Sequence, residues 1–126
     1  MIQAEIKEGQ AWMREFFSRH RELTPEEKAE RVVVIRSIAE RSRVDAEARS
    51  YMEWLTEQVG PDLPMEVQAF RACYLDGVSR PTSRQVGRAL SMDKRSVHRC
   101  IRRTLEAMLP LAFGLDGLYA ADKLHR

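Results

Sequence analysis

The chain has 126 residues, of which 44% are hydrophobic and 32% charged, and its formal net charge is +2. This length suits one modest domain with an extension, and the hydrophobic fraction is sufficient for a packed core. No apolar run approaches the ~18 residues of a transmembrane span, and the first ten residues are too mixed in charge for a secretory signal. We therefore expect a cytoplasmic protein that does not associate with membranes.

The sequence offers no recognisable arrangement for catalysis or metal binding. Its two cysteines, Cys73 and Cys100, lie far apart, and neither a CxxC pair nor paired histidines occur. A zinc site or a disulfide framework is therefore not expected, and both thiols are predicted to pack as small buried groups on helix faces. Because no nucleophile–base arrangement or phosphate-binding loop is found, we predict no enzyme activity, no cofactor and no metal.

Helices are predicted throughout the first half of the chain. The first spans residues 2–20, with its apolar residues on one side. A new helix starts after Thr24, since Pro25 suits the first helical position and Glu27 completes a capping box. No Gly or Pro follows before Gly60, which would allow a single helix of ~50 Å. The apolar positions change register, so a break within residues 41–45 is favoured over one long helix packed on a partner chain.

Residues 60–64 form the clearest stop in the sequence, because they combine Gly60, Pro61 and Pro64. They divide a helical N-terminal part, residues 1–60, from the segment that follows. A helix is predicted over residues 65–75 with Gly77 as its C-terminal stop, and a loop over residues 78–81. The tail, residues 110–126, is predicted to fold back on the core as short turns.

Residues 82–105 are predicted to form two short helices joined by a tight turn. Thr82 begins a second capping box, and Asp93 is well placed to cap the second helix. The connection between them, residues 91–93, has an apolar centre, Met92, that can plug between the helices. Two small residues, Gly87 and Ala89, are expected where the helices cross closely.

Positive charge is concentrated in this segment. Residues 78–103 carry eight Lys or Arg and one acid, Asp93, whereas residues 1–77 carry 11 basic and 15 acidic residues. On the second helix, Val97, Ile101 and Leu105 recur at helical spacing on one side, and cations occupy the other. A helix that is buried on one face and basic on the other is typical of helix-turn-helix DNA-binding proteins.

We therefore predict an all-α protein with a tri-helical helix-turn-helix unit at residues 62–109, which inserts helix 94–105 into the major groove of double-stranded DNA. Arg95, Ser96 and Arg99 lie in the first turns of that helix, from which base edges are reached. The other cations, and the start of the preceding helix, are expected to anchor phosphates. The predicted DNA-contacting residues are Thr82, Arg84, Gln85, Arg88, Lys94, Arg95, Ser96, His98, Arg99, Arg102 and Arg103. The alternative is an ordinary helical hairpin with a solvated basic face.

Residues 63–105 resemble region 4 of sigma factors and its relatives. LPMEVQAFRACYLDG is similar to the helix that precedes that motif, and RQVGRALSMDKRSVHRCIRRTL is similar to the motif itself, with Asp93 at the cap. The loop before Val86 is longer than is usual in region 4, and the chain is too short for a promoter-opening domain, so a working sigma factor is not expected. The resemblance implies a small DNA-binding regulator such as the phage late-gene activators. Some plasmid repressors carry similar motifs, so the sign of regulation stays open.

RNA polymerase and a second copy of the chain are two further candidate partners. A region 4-like module can also bind RNA polymerase as an adaptor without an operator of its own, and this is the alternative function. A homodimer is predicted through residues 1–60, because that part is richer in large apolar residues than its short helices can bury. The alternative is that these residues pack against the DNA-binding unit of the same chain. These residues are Trp12, Phe16, Phe17, Val33, Ile35, Tyr51 and Trp54.

Overall fold

A computed structural model describes the backbone of residues 2–121 and the side chains of residues 7–121. Over this range the chain is mostly helical, with six α-helices and a minor antiparallel sheet of two strands. The helices are α1 (Ile2–Arg19), α2 (Pro25–Glu40), α3 (Ala46–Val59), α4 (Pro64–Tyr74), α5 (Ser83–Leu90) and α6 (Lys94–Phe113). The strands are β1 (His20–Glu22) and β2 (Tyr119–Ala121), and a 3₁₀ turn, Gly114–Gly117, precedes β2. No helix within residues 2–121 has the length and apolar character that a membrane crossing requires.

The helix starts expected from capping residues are confirmed. At α2, the Glu27 amide donates to Thr24 Oγ1 (3.2 Å) and the Thr24 amide donates to Glu27 Oε1 (3.0 Å). The predicted break is also present, since α2 ends at Glu40 and α3 begins at Ala46. Asp45 caps α3 through Oδ1, which accepts hydrogen bonds from the amides of Glu47 and Ala48 at 3.0 and 3.2 Å.

One hydrophobic core joins helices from both sides of the turn at residues 60–63. Ile35 of α2, Leu55 of α3, Phe70 of α4 and Leu105 of α6 are each at most 1% exposed and belong to the same cluster. α6 packs against α2, α3, α4 and α5, so it is the central helix of the fold. Its buried side is therefore held firmly while its other side faces solvent.

Arg43, in the turn between α2 and α3, and Arg49, in α3, bind the end of α4. The Arg43 guanidinium donates to the carbonyl oxygens of Cys73 (2.9 Å) and Asp76 (2.8 Å), and Arg49 donates to that of Leu75 (2.8 Å). These bonds satisfy carbonyl groups that the helix leaves without partners. They also fix the start of the loop at residues 75–82, which leads to α5.

The C-terminal part differs from the sequence prediction. α6 does not end near residue 105 but continues through Pro110 to Phe113, because Met108 and Leu109 pack in the core. The helix stops at Gly114, which has a positive φ of 62°. The chain then pairs β2 with β1, a strand pair that the all-α prediction did not include. Residues 122–126 of the predicted tail lie outside the described residues.

α1 makes few contacts with the rest of the described chain. Near its C-terminal end, the Phe16 ring stacks on His20 with centroids 4.0 Å apart and meets the edge of Tyr119 at 5.5 Å. Among the other side chains described in α1, Trp12 is 58%, Met13 50% and Phe17 48% exposed, and the Phe17 ring also meets Tyr119 at 5.4 Å. The helix therefore extends from the core with an uncovered apolar side.

Candidate nucleic-acid interface

α4, α5 and α6 pack on one another, and a three-residue connection joins α5 to α6. Ser91 begins this connection in the left-handed conformation (φ 55°, ψ 46°), and the Met92 amide donates to the Gly87 carbonyl oxygen at 2.9 Å. A Cβ atom added at Gly87 would lie 2.5 Å from the Met92 carbonyl oxygen, and Val97 is the next side chain in reach. Only glycine permits this approach, as the sequence predicted.

The expectation for Ala89 is wrong. Its side chain is exposed, whereas Val86 and Gly87 are buried. Successive residues of an α-helix are about 100° apart, which places Ala89 to one side of the strip that contacts α6. Met92, by contrast, is partly buried against the core, as expected.

Capping hydrogen bonds occupy three of the predicted DNA-contacting residues. The Thr82 hydroxyl accepts from the Gln85 amide (3.1 Å), and Gln85 Oε1 accepts from the Thr82 amide (2.8 Å). The Ser96 amide donates to Asp93 Oδ1 at 2.7 Å, and this bond lowers the pKa of the Asp93 carboxyl from its ordinary value. The side chains of Thr82 and Gln85 and the backbone of Ser96 therefore hold the starts of α5 and α6 in place.

The basic residues of α6 lie on its solvent side in two rows. Four-residue spacing puts Arg95, Arg99 and Arg103 in one row, and Lys94, His98 and Arg102 in the neighbouring row. All six residues are exposed. In α5, Arg84 and Arg88 are exposed as well.

Most of these basic residues form no ion pair, although the charges of Arg99 and Arg95 contribute to lowering the pKa of the nearby Asp93 carboxyl. Among the described side chains, none of the arginines of the first row forms an ion pair, and neither does Arg84 or Arg88. Arg102 is the exception, since its Nε donates to Glu106 Oε1 at 3.0 Å. Like charges one turn apart destabilise a helix by ~0.2–0.5 kcal/mol per pair. The first row therefore keeps an unfavourable interaction that a bound polyanion would relieve.

A second group of arginines lines a cleft that was not predicted from the sequence, although one of its members, Arg102, was predicted to contact DNA. A cleft of about 350 Å³ opens between α2, α4, α6 and the loop at residues 75–82, and we call it the arginine cleft after Arg36, Arg80 and Arg102. The Arg80 guanidinium lies 4.9 Å from the Tyr74 ring centroid and donates to the Tyr74 hydroxyl at 3.3 Å. Burial raises the pKa of Tyr74, and Arg80 and Arg36 oppose that effect. Arg36 lies in the acidic part of the chain, so no local pattern connected it with the other two arginines.

The cysteines are free thiols, with Cys73 buried and Cys100 only partly so, which differs from the expectation that both are buried. Burial raises the pKa of each thiol. Within the described residues, no three His, Cys, Asp or Glu side chains come together in a way that would hold a metal ion.

Comparison of the chain with models of protein families, with curated proteins and with solved structures found no match. The assignment of function therefore depends on the residues of this chain and their geometry.

Proposed function

We propose that this protein is a sequence-specific double-stranded DNA-binding regulator of transcription, built on a helix-turn-helix unit formed by α4, α5 and α6. The observation that carries the proposal is the solvent side of α6, where two rows of cations lie on a helix whose opposite side is fixed in the core. A helix held in this way can enter a major groove without losing its orientation.

The proposed roles follow from the position of each cation along α6. Arg95 and Arg99 lie in the first two turns and contact base edges, for which a guanidinium offers paired donors to guanine. Arg103 lies ~12 Å beyond Arg95 along the helix axis and contacts the backbone. Arg84 and Arg88 of α5 hold phosphates on the other side of the groove, and Arg102 joins them after exchanging Glu106 for a phosphate.

We further propose that two chains pair through α1. Most of the stability of a helix in a protein comes from packing of its apolar side, and in α1 Trp12, Met13 and Phe17 remain about half exposed. Apolar and small residues recur along α1 at alternating steps of four and three, which is the spacing of a two-helix seam: Ile2, Ile6, Gly9, Met13 and Phe16.

A second copy of α1 fits this seam better than a charged partner would. The helix carries three basic and three acidic residues, so two copies do not repel each other. In a parallel pair, Trp12 and Phe17 occupy the positions that flank the seam and face each other across it. Such a pair brings both α6 helices to the same end of the dimer, as recognition of a two-fold symmetric site requires.

Selection of bound duplexes from a random pool, followed by gel-shift titration of the enriched sequence, tests the proposed function. We expect one sequence to be enriched and to bind at least 10³-fold more tightly than random duplex at the same salt concentration. Equal binding of all duplexes would contradict the proposal. Equal binding together with retention of the protein on purified RNA polymerase would support the adaptor alternative.

A further inference from the structure

The positive surface of the protein does not end at α6. The arginine cleft lies beside the row of α6 that contains His98 and Arg102, and both of these residues line it. The cleft adds two cations that belong to neither α5 nor α6, namely Arg36 of α2 and Arg80 of the loop at residues 75–82. The cationic surface therefore continues from α6 onto the N-terminal part of the chain.

These two arginines are attached to elements that are fixed relative to α6. Arg36 directly follows Ile35, which is 1% exposed in the core that α2 shares with α6. The Arg80 guanidinium lies over the Tyr74 ring and donates to the Tyr74 hydroxyl, while the Arg80 side chain remains 56% exposed. Since a guanidinium has five N–H donors, Arg80 keeps donors for a partner in solvent after making that bond.

Little negative charge opposes these arginines. Glu40 is the acidic residue in the cleft lining, and its Oε1 lies 4.0 Å from Arg80 Nη1, at the outer limit of an ion pair. Among the described side chains, Arg36 forms no ion pair. Both arginines oppose the effect of burial on the pKa of Tyr74, so their charges act on the same hydroxyl. The cleft therefore offers positive charge that the protein itself does not neutralise.

The cleft favours a partner that stays at its rim. Its floor is closed, because Cys73, Tyr74 and Ile101 are 4%, 2% and 6% exposed and Arg80 covers the Tyr74 ring. The cations of the rim come from α2, α6 and the loop before α5, so a partner with a series of negative charges can engage them one by one. The phosphates of a DNA strand follow one another every ~3.4 Å along the helix axis, and separate cations can each contact a different phosphate.

We propose that Arg36 and Arg80 are phosphate contacts of the operator complex, which extend the DNA interface from α6 across the arginine cleft to α2. Phosphodiester oxygens accept charge-assisted hydrogen bonds from a guanidinium and need no open floor. The contacted backbone is the one next to His98 and Arg102, because both residues border the same cleft. This inference rests on the proposed function, and it makes α2 a direct participant in DNA binding.

Filter binding of the full chain to the selected operator and to random duplex, at several salt concentrations, tests the two contacts. Arg36→Gln and Arg80→Gln should each weaken binding to both duplexes by about 2- to 10-fold and reduce the slope of log K against log salt by ~0.9, the value for one phosphate. Base preference should not change, since phosphates carry no sequence information. Lys28→Gln removes an equal charge from an exposed position of α2, ~12 Å from Arg36 along the helix, and should change neither affinity nor slope.

Two further variants separate the effect of charge from damage to the fold. Arg80→Lys keeps the positive charge and should keep the salt slope of the wild type. Glu40→Gln removes the carboxylate that opposes Arg80 and should strengthen binding to both duplexes, an effect of opposite sign that a damaged fold would not produce. Circular dichroism and urea denaturation of each variant check that the protein remains folded.

A wild-type slope in both Arg36→Gln and Arg80→Gln would overturn the inference, and so would an equal loss in Lys28→Gln or weaker binding by Glu40→Gln. In each of these cases an enriched operator would still support the proposed function. Failure of the proposed function is recognised differently, because no duplex is then enriched. Loss of slope on random duplex in the two arginine variants would in that case still support the phosphate contacts.

Discussion

Arg95 and Arg99 lie nearer the N-terminus of α6 than Arg102 and Arg103 do, and this difference sets their expected effect. Arg95→Ala or Arg99→Ala should weaken binding to the selected operator by ~1–3 kcal/mol and relax base preference at one position of the site. Competition gel shifts with single-base variants of the operator, at fixed salt, measure both effects. Arg103→Ala is the matched control and should weaken all sequences about equally. Unchanged base preference in both test variants would contradict the assigned base contacts.

Arg84 and Arg88 should act through charge alone. Removing one of them, as Arg84→Gln or Arg88→Gln, is expected to weaken operator and random duplex alike and to reduce the slope of log K against log salt by about one. Filter binding between 50 and 300 mM salt, roughly the range over which counterion release is measurable, gives that slope. Lys28→Gln, an exposed cation on α2, is the control that should leave it unchanged. A slope equal to that of the wild type in both arginine variants would show that these charges are only solvated surface.

Single residues show where sequence reasoning succeeds and where it fails. The exposed cations of α6 were predictable, because helical spacing separates them from Val97 and Ile101. The ion pair between Arg102 and Glu106 was missed, although their four-residue spacing is a local signal. Arg36 could not be found, since nothing in the sequence shows that α2 lies beside the loop that carries Arg80.

Among the elements, the crossing of α5 and α6 depends on Gly87. Gly87→Ala places a methyl group against the Met92 carbonyl oxygen, which is backbone and cannot rotate away. We expect the free energy of unfolding to fall by ~1–3 kcal/mol, the usual cost of overpacking, and operator binding to weaken with it. Urea denaturation followed by circular dichroism measures the first effect. Ala89→Ser, at an exposed position of the same helix, is the control and should change the free energy of unfolding by no more than ~0.5 kcal/mol. Equal stability of Gly87→Ala and the wild type would contradict the close approach.

The junction of β1 and α2 should show a pH-dependent contribution to stability. The hydrogen bonds from Arg21 and from the Thr24 amide lower the pKa of Glu27 from 4.5 to about 2. A carboxyl whose pKa falls on folding stabilises the fold while ionised, so this contribution is complete above about pH 4.5 and is lost as the pH falls toward 2. Glu27→Gln should therefore be less stable than the wild type at pH 7, with a smaller difference at pH 3, in urea titrations. Glu30→Gln, an exposed change on the same helix, is the control, and a difference that does not vary with pH would contradict the shift.

The boundaries of elements were predictable where capping is local. Thr24, Asp45, Thr82 and Asp93 each cap a helix within three residues of their own position. The end of α6 was not predictable, because a proline normally argues for a stop. The helix continues because Leu109 packs in the core. After the helix ends, the chain returns to it, and Gly117 lies so close to the Leu109 carbonyl that a Cβ atom at this position would collide with it. Likewise β1 becomes a strand only by pairing with β2, about a hundred residues further along the chain.

At the scale of the whole molecule, the surplus of apolar residues in the N-terminal part divides into residues that pack in the core and residues that remain exposed. Ile35 is 1% exposed and Tyr51 packs against the core, so these two are not available to a partner. Trp12 and Phe17 of α1 remain about half exposed, and so do Val33 of α2 and Trp54 of α3. The division into residues 1–60 and 62–109 stays a prediction. α2, α3, α4 and α6 share one core, and α1 contributes no buried residue to it among the side chains described.

Sedimentation equilibrium at micromolar concentration tests the pairing of α1. We expect the wild type to have twice the chain mass of 14.6 kDa and its selected DNA site to be two-fold symmetric. Met13→Glu places a charge in the seam without touching the core, so it should give a monomer with an unchanged circular dichroism spectrum and weaker binding to the full site. Val33→Glu introduces the same charge at an equally exposed position of α2 and should remain a dimer. A wild-type species of 14.6 kDa on an asymmetric site would contradict the dimer, and loss of the dimer in both variants would place the interface on α2 as well.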